Sequence, residues 1–237
     1  MINRLVRFLV GLLLLPVCLA VTQTMVSLVR SLQPSPLLLP PAALAFLGGY
    51  TLWLILFFTI PRPVRTYVLA HELTHALWGT LMGARVSRMK VSSQGGSVTL
   101  SRTNFLITLA PYFFPLYTVM AIAAYLLLRL FFDVERGHLW WMGLVGLTWG
   151  FHLTFTVTTL LTHQTDIREC GRLFSYAMIY CLNLLGLGLW VVAASSATWR
   201  QMTGLLAGHM ADVSLEIWRV ACAIGHWTYN KAGSGPL

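Results

Sequence analysis

His71-Glu72-Leu73-Thr74-His75 is the stretch of this chain best equipped for chemistry. Residues four apart share one face of a helix, so His71 and His75 can bind one metal ion, zinc above all. Glu72 then stands beside the metal, where a carboxylate can take a proton from water. Two imidazoles do not complete a catalytic zinc site, which takes three protein ligands and leaves a position for water. Asp166, His163 and His152 are the candidates for the third, with Glu169 a poorer one among basic residues. On an unbroken helix, His152 and Asp166 stand about 21 Å apart along the axis, so they cannot share one ion. His152 has the better depth, since the motif lies near mid-span. Asp166 has the better chemistry, as an acid beside an apolar segment, but it reaches the motif only if that helix shifts or unwinds near Thr165.

The setting of the motif is apolar. Of 237 residues, 57% are hydrophobic and 10% charged, far from the quarter or so charged in soluble domains. Runs of about 20 apolar residues fit membrane-spanning helices. They fall at about Phe8–Val29, Ala42–Ile60, Val64–Ala84, Phe105–Phe131, Trp140–Leu161 and Leu173–Ala194. The expected fold is an all-α polytopic membrane protein in a single domain (residues 1–237), with six spans, a small β-hairpin and a C-terminal amphipathic helix. Its expected location is multi-pass in a membrane of the bacterial inner or plasma-membrane kind.

The net charge of +9 comes from residues lying mostly between apolar runs. Such placement suits anionic lipid headgroups, so the bilayer rather than nucleic acid is the expected partner. An acid at membrane depth is costly, which singles out Glu72 inside a span and Asp166 near the end of one. Cys18, Cys170, Cys181 and Cys222 are scattered and read as small apolar side chains.

The elements that must position the motif follow in order. Arg4 and Arg7 precede a first span that reads as uncleaved, because the apolar run continues past a passable cleavage site at Ala20. Pro34, Pro36, Pro40 and Pro41 make a turn, and Pro61-Arg62-Pro63 makes another before the motif helix. Gly83 is the expected stop of that helix. Residues 85–102 differ in kind: Val86, Met89, Val91, Val98 and Leu100 alternate with polar residues around Gly95-Gly96. This reads as a two-stranded hairpin with a glycine turn. Its free edge, at Gly95, Gly96, Ser97 and Val98, could take an extended substrate by strand addition. Pro111 and Pro115 should bend the fourth span. Over residues 198–230, His209, Asp212, Glu216, Arg219, His226 and Asn230 form one polar stripe, which assigns the two histidines to a surface and not to metal.

HELTHALWG, a short basic hairpin with GGSV, and a proline-bearing span with LAPYFFP together resemble the site-2 protease type of intramembrane zinc metalloprotease, in its short branch without a PDZ module. The resemblance covers residues 67–183. It implies one zinc ion per chain, held by His71, His75 and an aspartate from a later segment, carried here onto Asp166. It also implies Glu72 as general base and a membrane protein or peptide as substrate. The family's aspartate usually sits in an Asn-Pro-Asp-Gly or Leu-Asp-Gly string, whereas this chain has Gln-Thr-Asp-Ile. Two other classes suit the same residues: a non-proteolytic zinc-binding membrane regulator or chaperone, and a proton or ion transporter.

Overall fold

The computed structural model describes residues 4–32 and 40–233. The expected turn at Pro34 and Pro36 and the last four residues lie outside them. The described chain is mostly helical: α1 (Arg4–Ser31), α2 (Pro41–Thr59), α3 (Val64–Leu81), α4 (Phe105–Phe113), α5 (Leu116–Leu128), α6 (His138–Leu160), α7 (Thr165–Cys170), α8 (Arg172–Ala194) and α9 (Trp199–Gly233). Its one sheet, among the described residues, pairs β1 (Val86–Ser92) with β2 (Gly95–Leu100).

Three helices, α1, α2 and α8, are long and apolar enough to cross a membrane. The α4–α5 pair qualifies jointly but is bent by 75°. The bend falls at Phe114 and Pro115, where proline withholds an amide donor and clashes with the preceding turn, as expected. The helices α3 and α6 occupy the expected positions of two further spans without reaching that apolarity. In α3 the reason is visible, since Arg65, His71, Glu72 and His75 interrupt its apolar residues.

Contacts divide the chain into two compact units, residues 1–33 with 173–237 and residues 34–172. In the first, α1 and α8 run parallel. Gly11 lies against Phe174, Cys18 against Cys181, and Met25 against Gly188. Both helices advance seven residues between contacts, the repeat that keeps one seam facing a partner. The Cys18 and Cys181 sulfurs are 3.3 Å apart, a proximity their sequence spacing does not reveal. The start of α9 packs on the end of α1, through Gln201 to Ser31 at 2.8 Å and His209 to Ser27 at 2.9 Å. From Ser214 to Lys231 every residue of α9 is exposed, and the helix runs on to Gly233, past the expected end of the amphipathic stretch at residue 230.

The second unit is built on α2 against α6. A Cβ at Gly49 would collide with the Gly143 carbonyl, so this crossing requires a residue with no side chain. Trp53, Phe57, Phe151 and Phe155 form an aromatic core between the two helices. Tyr67 of α3 stacks on Phe155 with ring centres 4.7 Å apart, which ties the motif helix to this block. Gly83, at φ +73°, ends the α3 region as anticipated.

The hairpin forms where expected, but its turn is Ser93-Gln94 and not Gly95-Gly96. The Ser92 hydroxyl accepts the Gln94 amide and donates to the Gly95 carbonyl, and Gly95 leaves the turn at φ +139°, a conformation that favours glycine. The glycines instead begin β2, where the strand passes over α3.

Candidate metal centre

The side chains of His71 and His75 leave α3 on one face, with ring centres 4.9 Å apart. Asp166 reaches them because α6 ends at Leu160 and the chain restarts as the short α7 at Thr165. That is the break this aspartate was expected to need. Asp166 Oδ2 lies 3.4 Å from His71 Nε2 and 3.6 Å from His75 Nε2. Ligands held tetrahedrally at 2.0–2.1 Å from a metal are roughly 3.4 Å from one another. Among the described residues, this is the one group of three potential ligands whose donor atoms all lie within 4.8 Å. The three side chains are only 11%, 11% and 21% exposed. This group could hold a metal ion.

The hydrogen-bond network adds a test of that fit. His75 Nδ1 lies 2.9 Å from the Ile107 carbonyl oxygen. A carbonyl only accepts, so Nδ1 carries the proton, and a neutral His75 turns the lone pair of Nε2 toward Asp166. Nε2 and a carboxylate oxygen both offer electron pairs, so a cation or a proton must lie between them. The Ile107 carbonyl is itself fixed by a helix cap, since the Asn104 side chain accepts the Ile107 amide at 3.0 Å. His71 Nδ1 lies 3.3 Å from the Tyr67 hydroxyl, which also accepts from Thr159 at 2.9 Å. Tyr112 donates to Asp166 Oδ2 at 3.0 Å. Without a metal a proton takes the place between imidazole and carboxylate: burial alone would raise the Asp166 carboxyl, but hydrogen bonds from His71 and His75, and their charge when protonated, hold it well below the usual carboxylate range.

The group opens on a cavity of about 790 Å³, which Glu72 and residues Gly95, Gly96, Ser97 and Val98 of β2 also line. The four hairpin residues expected to meet substrate therefore share a space with the three ligand candidates. Glu72 is 6% exposed and lies beneath Gly96. A Cβ at Gly96 would come within 2.6 Å of Glu72 Cγ and 2.8 Å of Glu72 Oε1. The far wall carries Thr158, Thr159, Thr162 and Thr165, which gives a site between apolar helices a hydroxyl-rich lining.

The two histidines that rival Asp166 as third ligand fall elsewhere. His163 is exposed, and His152 is buried in α6 beside a separate small void that also touches His71. The parts played by Tyr67, Tyr112 and the Ile107 carbonyl do not emerge from the sequence alone. Tyr67 leaves a trace, since it stands four residues before His71 and so on the same helical face. Tyr112 leaves none beyond its place in LAPYFFP. No family model, curated protein or solved structure matches this chain.

Proposed function

We propose that the protein is an intramembrane zinc metalloprotease that cuts membrane-associated protein substrates. The observation that carries this reading is the convergence of His71, His75 and Asp166, with the Asp166 oxygen 3.4 and 3.6 Å from the two histidine nitrogens and Glu72 on the same cavity. Zinc is the expected metal because two imidazoles and a carboxylate that leave a fourth position open suit it. When bound, zinc supplies Lewis acidity, which polarises the scissile carbonyl and acidifies water at neutral pH.

The chain's own residues do the remaining work. Glu72 takes one proton from the attacking water as its oxygen bonds to the carbonyl carbon. Glu72 then delivers that proton to the leaving nitrogen as the C–N bond breaks, which leaves a carboxylic acid and an amine, and the acid's own proton passes to the amine or to solvent. A transmembrane helix must unwind before its carbonyls are free to react. The β2 edge at Gly95–Val98 offers backbone partners to such an extended strand, and the threonine wall keeps the cleft wet.

In this reading α3 and α6 join α1, α2, the bent α4–α5 pair and α8 as six spans. The polar faces of α3 and α6 meet the cavity instead of lipid, which is why their apolarity is lower. Arg85, Arg88, Lys90 and Arg102 around the hairpin favour a cytoplasmic position for it.

The test is Glu72→Gln in purified, zinc-loaded protein. Zinc should stay bound at one per chain while cleavage of a membrane-protein substrate falls at least a thousandfold, on the order expected for loss of a general base. Undiminished cleavage would remove Glu72 from the mechanism. Absence of cleavage in the wild type together with zinc-dependent binding of membrane chains would favour a regulator instead.

A further inference from the structure

We infer that Tyr112 is a positioning residue for the metal, the side chain that aims Asp166 at the two histidines. The inference rests on the reading of His71, His75 and Asp166 as metal ligands. Asp166 lies on a six-residue helix between the break after Leu160 and Gly171. A helix that short has little stability of its own. Something outside it must hold the carboxylate, and α4 does so. The Tyr112 hydroxyl donates to Oδ2, the same oxygen that lies 3.4 and 3.6 Å from the histidine nitrogens. This selects one oxygen of the two and one rotamer of Asp166.

Tyr112 is 0% exposed, so its hydroxyl sits where an unpaired polar group is costly. A phenylalanine would fill the volume at no such cost. Its ring also packs edge-on against His71, with centres 5.3 Å apart at 89°. The same helix supplies the Ile107 carbonyl to His75. One nine-residue helix thus touches all three ligand candidates, two of them through a single tyrosine. Groups that orient ligands in this way are commonly worth 10- to 100-fold in metal affinity.

The experiment is a double-mutant cycle on the full-length protein in detergent. Zinc affinity is read by competition with a chromophoric chelator, and geometry by the visible absorption of the cobalt(II)-loaded form. Tyr112→Phe should weaken zinc binding about 10- to 100-fold and alter the cobalt spectrum, with metal-free thermal unfolding near that of the wild type. In an Asp166→Ala background the same change should cost almost nothing further, because the carboxylate it aims is gone. Tyr112→Met, which also lacks the hydroxyl, should behave alike and guards against a folding defect peculiar to one variant. Wild-type affinity in Tyr112→Phe, or a loss that simply adds to that of Asp166→Ala, would overturn the inference and leave the proposed protease intact. A wild type that binds no zinc would sink both.

Discussion

His75 Nδ1 faces the Ile107 carbonyl oxygen at 2.9 Å, and this contact decides which nitrogen of His75 is left for a metal. His71 is oriented less rigidly, by the Tyr67 hydroxyl at 3.3 Å, which a substitution can remove. Tyr67→Phe should remove the hydroxyl that orients His71 through Nδ1 and weaken zinc binding roughly tenfold. Chelator competition across pH extends the test. Protons compete with metal for both Nε2 atoms, so affinity should fall as pH falls. Once the imidazoles take up protons, the loss should approach one tenfold step per pH unit for each imidazole that must lose one. Asp166, held well below the usual carboxylate range, stays charged while they do so and should not add to the slope. An affinity that stays flat down to the pH at which the protein unfolds would contradict ligation by the two histidines.

Asp166 and His163 lie three residues apart, yet only the first reaches the motif. Asp166→Ala should weaken zinc binding far enough that the ion is lost on gel filtration, measured by metal analysis, while the two histidines keep a residual affinity that chelator competition still reads. His163→Ala and His152→Ala should each retain one zinc per chain. The outcome separates the three ligands that the sequence alone leaves open.

Which parts of this arrangement are legible in the sequence depends on the range of the interaction. His71, Glu72 and His75 are readable because helical spacing is local. The bend at Pro115 is readable because proline acts on its own turn, whereas Pro111, expected to share it, lies inside α4. Asp166 needs the family resemblance, since no local rule says where α7 packs after the break in α6. Gly95-Gly96 reads as a turn because glycine pairs favour turns; Gly95 does leave the turn at positive φ, but Gly96 is there because the strand crosses a glutamate, which leaves the same letter. The parallel seam of α1 and α8 joins residues 163 positions apart and has no signature in either helix alone.

Gly49 places the α2 backbone against the Gly143 carbonyl of α6, beside the aromatic core that stacks on Tyr67. Gly49→Val should force these helices apart. The cost of such overpacking is about 1–3 kcal/mol, readable as a lower midpoint of thermal unfolding in detergent. Gly48 faces open space, so Gly48→Ala should leave the midpoint unchanged or slightly raised.

Gly96 offers the sharpest separation of metal binding from catalysis. It touches no ligand candidate in the way Tyr67 does, but its Cα lies over Glu72, and a Cβ there would meet both Glu72 and Val68 within 2.8 Å. Gly96→Ala must therefore move the Glu72 carboxylate, the β2 strand, or both. A displacement near 1 Å in a positioned catalytic group costs on the order of a hundredfold in rate. Gly96→Ala should lower kcat/KM by about that factor while zinc affinity and the cobalt spectrum remain those of the wild type. Ser97→Ala lines the same cavity without crowding Glu72, and its kcat/KM should stay within about threefold of wild type, the scale of one exposed contact. Full activity in Gly96→Ala would mean that the hairpin swings clear of Glu72 when substrate binds, and Gly96 would then lose its role beside the base.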